Sequence, residues 1–117
     1  MYESYLFDKH IYYILTMENK IVGGAGIAPL KNSDKNICEL QKMYFLTVAR
    51  GKGLGSLMIK KCIDFASKSK FQYCYIETMH NMIKAQKLYK SYGFEFIESP
   101  LGNTGHSSCP VWMLKKL

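Results

Sequence analysis

The chain has little of what announces a metal site, a secreted framework or a nucleic-acid surface. Its four cysteines, Cys38, Cys62, Cys74 and Cys109, include no C-x-x-C pair, and three sit inside apolar elements. Small buried hydrophobes in a reducing cytosol account for them better than disulfides or a metal. Sixteen Lys and Arg against nine Asp and Glu leave a net charge of +7, yet no run of five or more basic residues occurs. Scattered lysine suits a phosphorylated small molecule better than a nucleic-acid stripe, and neither a C-x-x-C…H-x-x-x-H finger nor an aromatic RNP signature is present. Met1 leads into YESYLFDKH without the basic start and apolar centre of a signal peptide. No apolar run approaches the roughly 20 residues that span a bilayer. The expectation is a cytoplasmic protein with neither nucleic acid nor membrane as partner, and with no metal.

What is there supports a packed core. The 117 residues are 48% hydrophobic and 14% aromatic, which fits one domain over 1–117 without repeats or low-complexity segments. IYYILTM (11–17) and IVGGAGIA (21–28) flank the polar turn Glu18-Asn19-Lys20 and read as a hairpin. Gly23, Gly24 and Gly26 weaken the second strand but let another backbone or a ligand come close. Pro29 is expected to end it, and ICELQKMYFL (37–46) is the third strand.

From Leu54 the period changes. Leu54, Met58, Cys62 and Ala66 fall four apart while Lys60, Lys61, Asp64 and Lys68 point elsewhere, which predicts a helix with one apolar face. FQYCYIETM (71–79) is a fourth strand, and the strand–helix–strand order predicts that strands three and four are parallel. A second helix is predicted from about His80 to Tyr92, with Asn81 near its start. Met82, Ala85, Leu88, Tyr89 and Tyr92 make its inward face, and Gly93 its left-handed stop. FEFIES and PVWMLKKL are closing strands. The fold class is α/β: a mixed, mostly antiparallel sheet with a central parallel pair and two packed helices.

The junction ARGKGLGS (49–56) carries three glycines and two cations where a strand hands over to a helix. A helix start offers N–H groups without intrahelical acceptors and about half a positive charge, so a flexible turn there suits a phosphate or pyrophosphate. Two common phosphate motifs fail on spacing. A P-loop needs Gly at position 46, which is Leu, and a G-x-G-x-x-G needs Gly at position 56, which is Ser.

Arg50-Gly51-Lys52-Gly53-Leu54-Gly55 fits R-x-x-G-x-G and resembles the acyl-CoA pyrophosphate loop, Q/R-x-x-G-x-G/A, of the GNAT acetyltransferase superfamily. ELQKMYFL resembles that family's cofactor-facing strand. NMIKAQKLYKSYGFE (81–95) is similar to its later segment N-x-x-x-A-x-x-L-Y-x-x-x-G-F, and VWMLKKL to its last strand. The resemblance implies an acetyl-CoA-dependent N-acetyltransferase acting on a primary amine of a small molecule or peptide by direct transfer. It implies that strands three and four splay apart to admit the pantetheine arm. Residues 50–55, with Ser56, would hold the pyrophosphate; Met43, Tyr44 and Phe45 would lie beside the pantetheine; Asn81 and Tyr89 would lie near the sulfur. Tyr89 matches the family's proton donor to the departing thiolate.

Glu39, a carboxylate in an otherwise apolar strand bordering the expected cleft, is the candidate base; a solvent-facing strand residue is the competing reading. His80 and His106 are the nearest imidazoles, read as a helix-start residue and a turn residue, and His10 carries no signal. Cys109 is read as a buried thiol, not an acyl relay. The family usually begins with a strand and two helices ahead of the hairpin, which this sequence reaches after about ten residues. A shortened enzyme closed by a second subunit, a fragment of a longer protein and a non-catalytic acyl-CoA binder stay open, beside a basic nucleic-acid-interacting protein. Uncovered apolar surface favours a homodimer.

Overall fold

The computed structural model describes residues 10–30, 36–49, 51, 53–101 and 111–117. Arg50, Lys52, His106 and Cys109, all considered from the sequence, lie outside the described residues. The elements run β1 (Ile11–Met17), β2 (Lys20–Pro29), β3 (Ile37–Phe45), a single 3-10 turn at Thr47–Ala49, α1 (Leu54–Lys68), β4 (Tyr73–Thr78), α2 (Ile83–Ser91), β5 (Glu95–Ile97) and β6 (Val111–Lys116). Among the described residues they form one six-stranded sheet in the order β1-β2-β3-β4-β6-β5. Every pairing is antiparallel except β3 with β4, which α1 connects, so the mixed sheet expected from the sequence is the one observed. The β1–β2 hairpin closes through Glu18 and Asn19 at φ 51° and 65°. Two successive left-handed residues match the twist of the flanking strands.

The core lies on one face of the sheet. Met58, Ile59, Cys62 and Ala66 of α1 and Tyr89 of α2 are buried there with Ala25, Ile27, Cys38, Leu40, Cys74, Ile76 and Met113. Side chains alternate along a strand, so Glu39 and Tyr75, neighbours of these core positions, project to the opposite face. Ile59, which joins the α1 stripe, contributes on the order of 2 kcal/mol by complete burial. Cys38, Cys62 and Cys74 are free and buried, and burial pushes the Cys62 thiol up to about 12. Among the described residues no group of three His, Cys, Asp or Glu is placed to hold a metal ion, and no helix is long and apolar enough to cross a membrane.

Several boundaries differ from the sequence expectation. Helix α2 starts at Ile83 and not near His80, because the chain first makes a separate turn. Met82 N–H bonds the Met79 carbonyl at 3.0 Å, and the Gln86 side chain reaches back to the same carbonyl at 2.7 Å. Asn81 therefore sits in an exposed turn, the residue before the helix is Met82 with no side-chain cap, and Met82 is 48% exposed instead of inward. Pro29 is the last residue of β2, opposite Cys38, where its missing N–H costs no interior ladder bond. Phe71 and Gln72 stay out of β4 because their N–H groups bond Ala66 and Asn36 carbonyls. Gly93, at φ 94°, ends α2 as expected.

Candidate active site

The parallel pairing of β3 and β4 is only three rungs long: Ile37 with Tyr73, Cys38 with Cys74, Glu39 with Tyr75. Both strands continue, β3 to Phe45 and β4 to Thr78, but no longer pair. The sheet therefore opens from Leu40 and Ile76 onward. An opened ladder presents backbone N–H and C=O groups that an extended amide chain can bond as an added strand.

Within the open part β3 carries a bulge. Gly26 pairs with Gln41 and Gly24 with Tyr44, so β3 spends one residue more than β2 between those rungs. The extra residue reverses the alternation. Leu40 faces the helices before the bulge, and Met43 and Phe45 face them after it. Tyr44 is turned to the other side and is 44% exposed. Of the three residues expected beside the pantetheine, two share the helix face and one does not.

The glycine turn closes the same end. Gly51 and Gly53 have φ 74° and 73°, the left-handed region that favours glycine, and Gly53 is the residue before α1. A Cβ added at either would meet no atom within 4 Å, so the turn presents bare backbone. Leu54, Gly55 and Ser56 open α1, and their N–H groups lack intrahelical acceptors. No acidic side chain occupies that first turn. Gly55 is a contact position: its Cβ would lie 3.2 Å from Leu88 Cδ2 and 3.7 Å from Phe45 Cε2. The helix start is thus seated against both α2 and β3. Left-handed glycines followed by helix-start N–H groups without intrahelical acceptors are the kind of backbone that an anion such as a pyrophosphate uses.

Helix α2 carries Tyr89, the proton donor expected from the sequence. Tyr89 is buried, edge-on to Phe94 at 6.0 Å, and its hydroxyl points to Met43 Sδ at 3.9 Å. Burial pushes its pKa up to about 12, so it holds its proton throughout the neutral range, as a donor and not a base would. One turn on, the Tyr92 and Ser56 hydroxyls are hydrogen-bonded to each other, which joins α2 to the start of α1.

Glu39 sits on the other face, at the last paired rung before the opening. It is 5% exposed, not a solvent-facing strand residue, and accepts a 2.7 Å hydrogen bond from Gln41 Nε2. Beside it Tyr75, wholly buried, donates to Glu77 Oε2 at 2.6 Å and accepts from the Leu101 N–H at 3.1 Å. Burial and the Glu77 carboxylate both push the Tyr75 phenol well up. The candidate acid Tyr89 and the candidate base Glu39 thus flank the opening from opposite faces. His80 and Asn81 lie in an exposed turn, outside this arrangement.

Tyr75, Glu77 and the Ser56–Tyr92 contact are absent from the sequence reading. The alternation in YCYIET marks Tyr75 and Glu77 as one face, but their place beside Glu39 needs the register. The Ser56–Tyr92 bond spans 36 residues and leaves no local signal.

The profile of the Acetyltransferase (GNAT) family matches residues 1–94. The chain belongs to the GNAT family. An uncharacterized N-acetyltransferase, YjgM of Escherichia coli, is 44% identical over 117 residues, all of this chain and 70% of that relative. An N-acetylaspartate synthetase of Xenopus tropicalis is 30% identical over 86 residues, 74% of this chain and 31% of its own. A GNAT acetyltransferase structure from Staphylococcus aureus superposes with TM-score 0.86 at 23% identity, covering 98% of this chain and 72% of that one. A GNAT structure from Elizabethkingia anophelis with acetyl-CoA bound gives TM-score 0.73 at 19% identity, covering 99% and 81%. As a GNAT protein the chain is an acetyltransferase, and acetyl-CoA is the acyl donor that this family uses.

Proposed function

We propose that this chain moves the acetyl group of acetyl-CoA directly to a primary amine, of a small molecule or a peptide, with both substrates held at once. The observation that carries the reading is the three-rung β3–β4 ladder, which opens the sheet between the glycine turn and Tyr89. In this reading the backbone of residues 51–56 holds the pyrophosphate, with Arg50 and Lys52 adding charge, and the β3 backbone around Met43–Phe45 holds the pantetheine amides. Asn81 is left with at most a peripheral contact, given its exposed turn.

The chemistry divides between the two faces. An ammonium has no lone pair, so Glu39 takes its proton on the acceptor side, directly or through water. The neutral amine nitrogen then bonds the acetyl carbon, its surplus proton leaves to solvent, which also reprotonates Tyr89 after turnover, and the carbon–sulfur bond breaks. The electron pair leaves on sulfur, where Tyr89 supplies a proton from the helix side. A donor near 12 stays loaded at every pH where the amine reacts. The protein works in the cytoplasm, which the free buried thiols support, and as a homodimer, which would cover exposed Ile14 and Ile21 on the edge hairpin.

Two measurements test this. Calorimetric titration of acetyl-CoA should show micromolar binding that is lost in the Gly53→Val/Gly55→Val double variant; a folded wild-type chain that does not bind ends the proposal. With an amine acceptor found by screening, Tyr89→Phe should lower kcat about 10²-fold or more while the acetyl-CoA Kd holds. Equal loss of both would make Tyr89 a packing residue.

A further inference from the structure

We infer that Tyr92 is a positioning residue for the pyrophosphate turn, acting through Ser56. The inference rests on the proposed use of residues 51–56. The Tyr92 phenol, just past the end of α2, is hydrogen-bonded to Ser56 Oγ in the first turn of α1. Both side chains are half-buried, so the bond is shielded from competing water.

This bond is the polar part of a longer seam. Leu88 Cδ2 comes within 3.2 Å of the Cβ position of Gly55, one residue before Ser56. At Gly51 and Gly53, by contrast, an added Cβ would meet open space and the backbone is left-handed, so neither of these glycines is placed by a contact on its side-chain side. The α1 end of the turn meets α2 through Leu88 and Tyr92, and β3 through Phe45 and Met43.

The same short helix carries Tyr89, one turn before Tyr92, with its hydroxyl at Met43. Leu88 and Tyr92 therefore both meet the start of α1, while Tyr89 between them reaches Met43. Tyr92 sets where the first N–H groups of α1 point, relative to the proton donor. Its action is on the geometry of the turn; the phenol itself touches neither reacting atom.

The test is a double-mutant cycle on acetyl-CoA affinity, read by calorimetry, with thermal unfolding measured in parallel. Tyr92→Phe keeps the ring and removes the hydroxyl; Ser56→Ala removes the other partner; Ser56→Thr keeps a hydroxyl in place. Each of the first two should raise Kd about three- to tenfold, the size of one shielded hydrogen bond. The double variant should be no weaker than the worse single, and Ser56→Thr should stay near wild type. If both variants lower Tm and leave Kd unchanged, the bond serves the fold alone and the inference is overturned. Fully additive losses overturn it as well, since two independent contacts would then be at work. The underlying reading fails differently: wild type would not bind acetyl-CoA, or Gly53→Val/Gly55→Val would bind it normally.

Discussion

Gly23 and Gly24 in β2 and Gly51 and Gly53 before α1 use the same residue for opposite ends. A Cβ on Gly23 would lie 2.8 Å from Phe45 Cδ1 and 2.8 Å from the Tyr44 carbonyl oxygen, and one on Gly24 would lie 2.7 Å from the Tyr12 hydroxyl. These two make room for the protein itself. They let β3, bulge included, and the Tyr12 ring close onto β2. Gly51 and Gly53 have nothing within 4 Å and are needed for their positive φ, which frees backbone N–H groups to converge. One cluster is spent on packing and the other on backbone direction. The difference decides which half of the site depends on the fold and which on the turn.

Substitution should separate the two clusters. Gly23→Val is expected to do most damage, because the Tyr44 carbonyl is backbone and has little freedom to retreat. The expected cost is about 3 kcal/mol, the upper part of the overpacking range. Thermal unfolding should show it as a fall on the order of 10 °C. A Tm within 2 °C of wild type would mean that β2 and β3 separate easily and that the comparison fails.

Gly53→Val should be milder for the fold and worse for binding. A β-branched residue at φ 73° costs about 1–2 kcal/mol, with no clash to add. Acetyl-CoA affinity should fall at least tenfold in this single variant. Retained affinity would show that the turn need not be left-handed to hold its anion.

Gly55→Ala is the finer probe, because this glycine belongs to neither cluster. It is helical, so alanine gains about 1 kcal/mol of propensity, against a 3.2 Å approach to the flexible tip of Leu88. Net stability should move by less than ~1 kcal/mol, measured by denaturant unfolding. A larger loss would mean that Leu88 is fixed and that the α1–α2 seam is tighter than the loop glycines require.

The effect that is smallest at neutral pH, and appears only in alkali, is a pH dependence outside both clusters. Burial raises the Cys62 thiol from 9.0 to about 12, so the folded state keeps a proton that the unfolded chain releases. Its contribution is fully present below pH 9 and is lost as pH rises from 9 toward 12. Cys62→Ala should flatten that part of the stability curve while leaving lower pH unchanged in shape. An identical alkaline slope in the variant would assign the loss to other groups.

The hairpin, the apolar stripe of α1, the stop at Gly93 and the parallel pair were all legible, because each is written in local spacing or in turn chemistry. The glycine turn was legible for the same reason. The start of α2 was not. His80, Asn81 and Met82 have the composition of a helix start, but the Met79 carbonyl captures the Met82 N–H and the Gln86 amide. Asn81 is consequently left outside the helix. The side that the Tyr44 ring takes was not legible either, since a single extra residue in the bulge reverses which side chains face the helices.

By itself the sequence determined the fold class, the family and the place of the backbone turn, since periodicity, glycine position and motif spacing are properties of neighbouring residues. Tertiary structure alone decided that the β3–β4 ladder stops at Glu39 and Tyr75, that Glu39 is buried on the face opposite Tyr89, and that Tyr92 reaches Ser56. Those facts depend on register and on contacts between residues about 35 positions apart, where closing the chain is what brings the groups together.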